Sequence, residues 1–195
     1  TVSIGLEASL TGHLVFSTLH TNSAPESIVR LLDMGMDPFN FADALLGILA
    51  QRLAKRLCSK CKKPYHPSDD EVGGLLDEYC EDFRQTPAFM DDPVAAKEQI
   101  LARWRQSYAD DKGRFTLYEP VGCDQCNGGY KGRLGLHELM VGSDRIKSLI
   151  QERARVSALL SAALDEGMRT LRQDGIEKVF GGVTDLKQVR KVCIR

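Results

Sequence analysis

The sequence has one tryptophan, four histidines and a formal net charge of −1. A chain so near neutrality is not expected to coat nucleic acid by bulk electrostatics. No apolar run reaches the length needed to span a bilayer, so any membrane role must come through partners. No stretch reads as a secretory signal. Nothing repeats, and no low-complexity linker is present. No G-x-x-x-x-G-K-[ST] occurs, no G-x-G-x-x-G follows a strand, and neither H-E-x-x-H nor G-x-S-x-G is found. These absences remove the phosphate cradle, the dinucleotide fingerprint, the zinc-protease helix and the hydrolase elbow. No complete active site can be assembled from this chain.

What is present begins with cysteine. Cys58 and Cys61 form one C-x-x-C, and Cys123 and Cys126 form another. Each such turn points two sulfurs at one spot, and two turns supply the four thiolates of a tetrahedral zinc site. Disulfide pairing is the bland alternative, and it does not suit a chain without marks of secretion. A redox C-x-x-C usually follows a strand and opens a helix, whereas Cys58 follows a run expected to be helical. The expectation is a closed structural Zn(Cys)4 site that holds shape and does no chemistry. Iron in a sulfur cage fits the same spacing. Lys55, Arg56, Lys60, Lys62, Lys63, Lys131 and Arg133 lie near the pairs in sequence, and cations favour the thiolate form. The same cations suit contact with nucleic acid, although only Tyr65 and Tyr130 are interleaved for stacking. Cys80 and Cys193 read as small buried residues.

With 195 residues and 43% hydrophobic content the chain has enough material for one domain, or one plus a small module. The opening run to Leu10 has helical spacing and reads as a helix cut from a longer protein. Thr11-Gly12 breaks it. His13 to His20 is apolar and β-rich without alternation, the pattern of a strand buried on both faces of a parallel sheet. Ser23 and Glu26 match a capping box with Pro25 in the first turn, which predicts a helix to about Met34. Phe39 to Leu57 is expected to be one long helix with Phe39, Ala42, Leu46, Leu49, Leu53 and Leu57 on one face. Residues 69–111 read as an inserted arm, acid-rich at first and then helical over Pro93–Tyr108, with Ile100, Leu101 and Trp104 inward. Short strands are expected at 114–119 and 133–140. Helices follow over Asp144–Arg153, over the stripe of Val156, Leu159, Leu160, Ala163 and Leu164, over Arg169–Phe180, and after a Thr184 cap.

The polar run Ser17-Thr-Leu-His-Thr-Asn22 lies at a strand's carboxyl end and just before a helix N-terminus. Ligands of open α/β sheets bind at such ends, and helix N-termini favour anions. His20, Thr21 and Asn22 are therefore candidates for sensing a γ-phosphate or orienting a water. Turn formation alone also explains Thr21 and Asn22, and a surface histidine explains His20. Arg52 suits a phosphate through its bidentate fork, or simply snorkels over the core.

Several stretches together resemble one family. Thr11-Gly-His-Leu-Val-Phe-Ser-Thr-Leu-His-Thr-Asn-Ser-Ala-Pro-Glu26 resembles the His box of the secretion ATPases of type II secretion and type IV pilus assembly. The resemblance continues through Arg30-Leu-Leu-Asp-Met-Gly35 and Ala50-Gln-Arg-Leu-Ala-Lys-Arg-Leu-Cys-Ser-Lys-Cys61. It resumes at Val121-Gly-Cys-Asp-Gln-Cys-Asn-Gly-Gly-Tyr-Lys-Gly-Arg-Leu-Gly-Leu-His-Glu138 and at Glu166-Gly-Met-Arg-Thr-Leu-Arg-Gln-Asp-Gly175. Residues 69–111 depart from it, because the loop between the pairs is longer than the family's usual one.

The resemblance implies an α/β fold: a partial RecA-like P-loop NTPase core, an inserted tetracysteine zinc module and a C-terminal helical bundle. It divides the chain into 1–57 (second half of the core), 58–133 (zinc module with the helical insertion) and 134–195 (return strand and helical region). It implies a cytoplasmic homohexameric ATPase, peripheral to the bacterial inner membrane, that powers pseudopilin or pilin assembly with ATP and Mg²⁺. Its partners would be its own subunits and the cytoplasmic domains of inner-membrane secretion or pilus proteins. Neither nucleic acid nor direct membrane insertion is implied. The P-loop and Walker B segment would lie upstream, so this chain alone is expected to be inactive. His20 and His13 carry over as His-box residues on the catalytic side, and Arg52, Thr21 and Asn22 as nucleotide-binding. Cys58, Cys61, Cys123 and Cys126 carry over as metal ligands. The rival reading is a zinc-ribbon module that binds nucleic acid or a protein partner, and a third is an inert structural adaptor.

Overall fold

Short polar side chains start most of the helices, as their capping chemistry requires. Ser23, Asp37, Ser68, Asp92, Ser143, Thr170 and Asp185 each accept a backbone N–H from the first turn that follows. The computed structural model describes residues 2–193. The chain divides into two compact units. One comprises the chain up to Ala50 with Glu138–Met168; the other comprises Gln51–His137 with the chain from Arg169 onward.

In the first unit, helix α1 spans Val2–Leu10 and buries no side chain. Residues 13–20 were expected to be a buried strand; they form no regular secondary structure, and Phe16 is 88% exposed. A strand of that composition needs a neighbour to pair with. Among the described residues, none of the strand pairings includes this run. Helix α2 covers Ala24–Asp33 with Ser23 as cap and Pro25 in the first turn, as expected. The reciprocal half of the capping box shifts by one residue: Glu26 Oε2 accepts from Asn22 N at 3.1 Å.

The long helix expected over Phe39–Leu57 is not there. Helix α3 covers only Pro38–Ala44, and strand β1 runs Gly47–Leu57. Up to Ala54 the burial of β1 alternates with period two: Ile48, Ala50, Arg52 and Ala54 lie deeper than Gly47, Leu49, Gln51 and Leu53. The apolar positions fit both periods, so pairing decides, and β1 pairs with β4, Tyr130–Val141, in a two-stranded sheet. Gly47, unfavourable inside a helix, was the signal against the helical reading. Helices α7 (Asp144–Gln151) and α8 (Val156–Asp165) complete the first unit, α7 against α3 and α8 against α2.

The second unit contains an antiparallel pair, β2 (Lys63–Tyr65) and β3 (Leu117–Glu119), with Pro64 opposite Tyr118. Helices α4 (Asp69–Cys80), α5 (Pro87–Asp91) and α6 (Pro93–Tyr108) lie between these strands in sequence. Helices α9 (Leu171–Phe180) and α10 (Leu186–Val192) complete the unit. The α4–α6 segment is no free-standing arm. Its Leu75, Tyr79, Ile100 and Trp104 share one core with Ile176, Phe180 and Val189 of α9 and α10. The Trp104 ring lies 4.7 Å from Phe180 and edge-on to Tyr79 at 5.0 Å. Ile100 and Trp104 are buried as expected, and Leu101 is half-buried. The last helix is capped by Asp185 instead of Thr184, whose hydroxyl donates to Lys55 O at 2.8 Å. No helix of the described residues is long and apolar enough to cross a membrane.

Trp104 is 1% exposed, and its indole N–H has no hydrogen-bond partner among the described residues. Trp104→Ala is expected to destabilise the protein by about 3–5 kcal/mol through lost burial and a cavity. Trp104→Phe, which loses no hydrogen bond, should cost clearly less. Denaturant titration followed by far-UV circular dichroism checks both, since the substitutions remove the only tryptophan. Equal losses in the two variants would contradict this packing.

Candidate functional site

Strand β1, not the expected helix, delivers the first cysteine pair, so no preceding helix counts against a redox C-x-x-C here, and what favours a metal is the meeting of the two pairs. Leu57 is buried, and its N–H donates to Val183 O at 2.9 Å; the next residue, Cys58, donates to Gly129 O at 2.8 Å. The chain then turns tightly, with Lys62 N donating to Cys58 O at 3.0 Å. The second pair precedes β4. There Gly129, with φ of 90°, passes so close to Pro120 that a Cβ would lie 2.5 Å from the proline's own. Only glycine fits that crossing.

The two turns bring all four sulfurs within 4.8 Å of one another. Cys58 and Cys123 Sγ are 4.0 Å apart, Cys61 and Cys126 3.7 Å, and Cys123 and Cys126 3.6 Å. Tetrahedral ligation with metal–sulfur bonds near 2.3 Å places sulfurs about 3.8 Å apart. Backbone N–H groups also face the sulfurs: Gly122 donates to Cys61 Sγ and Cys123 to Cys126 Sγ, each at 3.3 Å. Such donors stabilise thiolates. The proton affinities diverge accordingly. Burial pushes the Cys61 thiol up, against the Gly122 N–H. For Cys123 the Gln125 N–H favours the thiolate, but burial and bonding to the other thiols hold its proton, up to about 12. Burial also raises Cys126, but the N–H groups of Cys123 and Gly129 and the thiols of Cys123 and Cys61 outweigh it and lower it to about 7. Of these three thiols Cys126 gives up its proton most readily, and a cation at the centre would displace the remaining protons. The donor set, four sulfurs with N–H support, fits a soft or borderline metal.

Several of the surrounding cations have other work. Lys62 Nζ donates to Gly182 O at 2.6 Å and stands 4.0 Å over the Tyr118 ring. Lys55 lies over Tyr130 at 5.6 Å, and Lys63 pairs with Glu119 in solvent at 3.4 Å. Lys60, Lys131, Arg56 and Arg133 are exposed.

The second candidate lies in the first unit. His20 is exposed in the turn before α2. Thr21 Oγ1 bonds Ser27 Oγ at 2.5 Å, and Asn22 N donates to Glu26. His13 sits at the end of α1, where its Nδ1 donates to Ala8 O at 3.2 Å. Arg52 is half-buried on β1 in the second unit. Among these candidates, the fold unites the four cysteines in one centre and joins Thr21 and Asn22 to the first turns of α2. Sequence reasoning gave little weight to Glu138. This carboxylate is 3% exposed and accepts from Ala24 N, the first residue of α2, at 2.7 Å. Its signal was an acidic residue in phase with Leu134 and Leu136 on the inward side of a strand.

Residues 1–191 match the family described as Type II/IV secretion system protein. The chain is 37% identical over 193 residues to the type IV pilus assembly ATPase PilB of Pseudomonas aeruginosa, which covers 98% of this chain and 29% of that protein. It is 40% identical over 190 residues to the protein of the same name in Myxococcus xanthus, covering 97% of this chain and 28% of that one. Against the type II secretion system protein E of Dickeya dadantii it is 38% identical over 193 residues, 98% of this chain and 32% of the relative. The chain therefore spans about a third or less of the length of these relatives. On the match of nearly its whole length, the chain belongs to the Type II/IV secretion system protein family.

Proposed function

We propose that this chain is the C-terminal part of a longer ATPase that powers pseudopilin or pilin assembly in type II secretion or type IV pilus biogenesis. The observation that carries the reading is the family match across residues 1–191, shared by relatives named for both systems. In this reading residues 13–20 join the sheet of a RecA-like core whose P-loop and Walker B segment lie upstream. The absence of a phosphate cradle in these 195 residues agrees with that division. His20 faces the γ-phosphate side of bound ATP and Mg²⁺, and His13 anchors the other end of the same box. Thr21 and Asn22 fix the turn that carries His20. Arg52 reaches the nucleotide or a neighbouring subunit. The protein works as a cytoplasmic homohexamer at the inner membrane, held there by cytoplasmic domains of membrane partners.

Zinc is the metal the four cysteines would hold. It supplies cross-linking and no reaction step, since a closed sulfur site leaves no position for water. Cys58 anchors the end of β1, Cys61 and Cys126 take support from backbone N–H groups, and Cys123 completes the set.

Two outcomes test the reading. The gene product with its natural upstream sequence should hydrolyse ATP with magnesium, and this chain alone should not. His20→Ala in the longer protein should lower kcat by about a hundredfold with nucleotide affinity largely kept; an unchanged kcat would remove His20 from the site. The purified chain should also contain about one zinc ion, lost in Cys126→Ser. Because ligation displaces thiol protons, zinc should bind more weakly as pH falls. Elemental analysis across a pH series reads this directly, and metal content indifferent to Cys126 would refute the site.

A further inference from the structure

The turn between α9 and α10 is fastened to the cysteine centre at four separate points. Leu57 N, one residue before Cys58, donates to Val183 O at 2.9 Å. Lys62 Nζ, one residue after Cys61, donates to Gly182 O at 2.6 Å. Thr184, fully buried, donates its hydroxyl to Lys55 O at 2.8 Å. Tyr130, which opens β4 after the second pair, donates its hydroxyl to Asp185 Oδ2 at 2.6 Å. Asp185 is also the cap of α10. Gly182 has φ of 68°, and a Cβ there would lie 2.5 Å from the Tyr118 ring, so the turn is pressed against β3 as well.

Both cysteine turns thus grip the same short loop, one through Leu57 and Lys62, the other through Tyr130. Their relative position is set jointly by whatever holds the four sulfurs together, by the Cys58 N–H bond to Gly129 O at 2.8 Å and by the β1–β4 and β2–β3 pairings. With the sulfurs joined, the four acceptors and donors face the loop at once. With the sulfurs free, only those backbone pairings hold the two turns, and the loop's ties to partners 55 to 129 residues away in sequence loosen. Val189 of α10 lies in the second unit's core, and Arg190 pairs with Glu78 of α4. Loosening the loop therefore frees α10 from its cap while its far end still adheres to the core.

We propose that the α9–α10 turn is a metal-dependent latch: occupancy of the cysteine centre orders residues 181–185 and the start of α10, and Lys62 and Thr184 are the positioning residues that transmit it. The latch rests on the zinc reading given above. Coupling of this kind is reciprocal, so the latch residues also hold the metal.

Amide hydrogen exchange by mass spectrometry on this chain tests the latch, with zinc measured in the same samples. Chelation should speed exchange across 181–189 about tenfold, with α8 of the first unit unchanged as reference. Lys62→Met keeps the aliphatic stem over Tyr118 and loses the donor. With zinc still fully bound it should speed exchange at the turn, and Thr184→Val should do the same. In both variants zinc transfer to a coloured chelator should quicken about threefold to tenfold. A chain that takes up no zinc overturns the metal reading and the latch with it. A chain that binds zinc, but whose turn exchanges alike with and without it, overturns the latch alone. So does a uniform rise across the chain, or unaltered zinc release in both variants.

Discussion

Two short turns, remote in the chain, meet at four sulfur atoms, and the second unit is arranged around that meeting. The long stretch enclosed between the pairs is a minor obstacle. Each doubling of a flexible loop adds only about 0.6 kcal/mol to its closure. Closing a loop of roughly sixty residues costs about 4 kcal/mol in all, and a structural zinc ion contributes about 10–16 kcal/mol at neutral pH, so ligation by the four cysteines would outweigh closure about threefold. The enclosed residues are free to become something other than a loop. Here they become α4, α5 and α6, with aromatic side chains of their own to bury.

Those side chains do not bury themselves alone. Trp104 packs on Phe180, and Phe115 lies 5.2 Å from the same ring. Polar ties follow the apolar ones. Gln173, fully buried on α9, donates from Nε2 to Tyr79 O at 2.9 Å, and Tyr79 gives its hydroxyl to Glu177 at 2.5 Å. Arg172 pairs with Glu81 at 2.6 Å. Helix α9 also serves the sheet. Asp174 accepts from His137 N at 2.8 Å, and Lys178 donates to Gly135 O at 2.9 Å. Those are main-chain groups of β4, which a two-stranded ribbon would otherwise leave open to pairing with another chain. One helix therefore fastens the α4–α6 segment and protects a strand.

Local signals in the sequence survived folding, and non-local ones did not. Ser23, Ser143 and the C-x-x-C turns act within a few residues, so their chemistry is legible without neighbours. Helix α6 was readable because its apolar side, Ile100 and Trp104, keeps one period throughout. Residues 45–57 carry leucines that satisfy two periods, and the choice was made by β4, some 80 residues on by the strand ranges. His13 to His20 has the composition of a strand, but composition cannot supply a partner. The roles of Thr184 and Asp185 were interchanged for a similar reason: both suit a cap, and Lys55 O, far away in sequence, claimed Thr184.

The candidate turn before α2 shows what a buried carboxylate does to such a reading. The N-terminus of α2 would attract an anion if its N–H groups were unmet. They are partly met, by Ser23 Oγ at Glu26 N and by Glu138 Oε1 at Ala24 N, with the Glu26 carboxylate on Asn22 N beside them. Two carboxylates next to the helix start also repel a phosphate. The positive end of α2 is spent on holding the turn in place, and the helix dipole is a poor source of phosphate affinity here. Recognition through this turn would then run through its exposed side chains, among them the His20 ring and the Asn22 amide, which can each donate a hydrogen bond. Glu138 gains its importance from the same geometry: it fixes the helix that carries the turn and at the same time removes the bland electrostatic explanation for anion binding there.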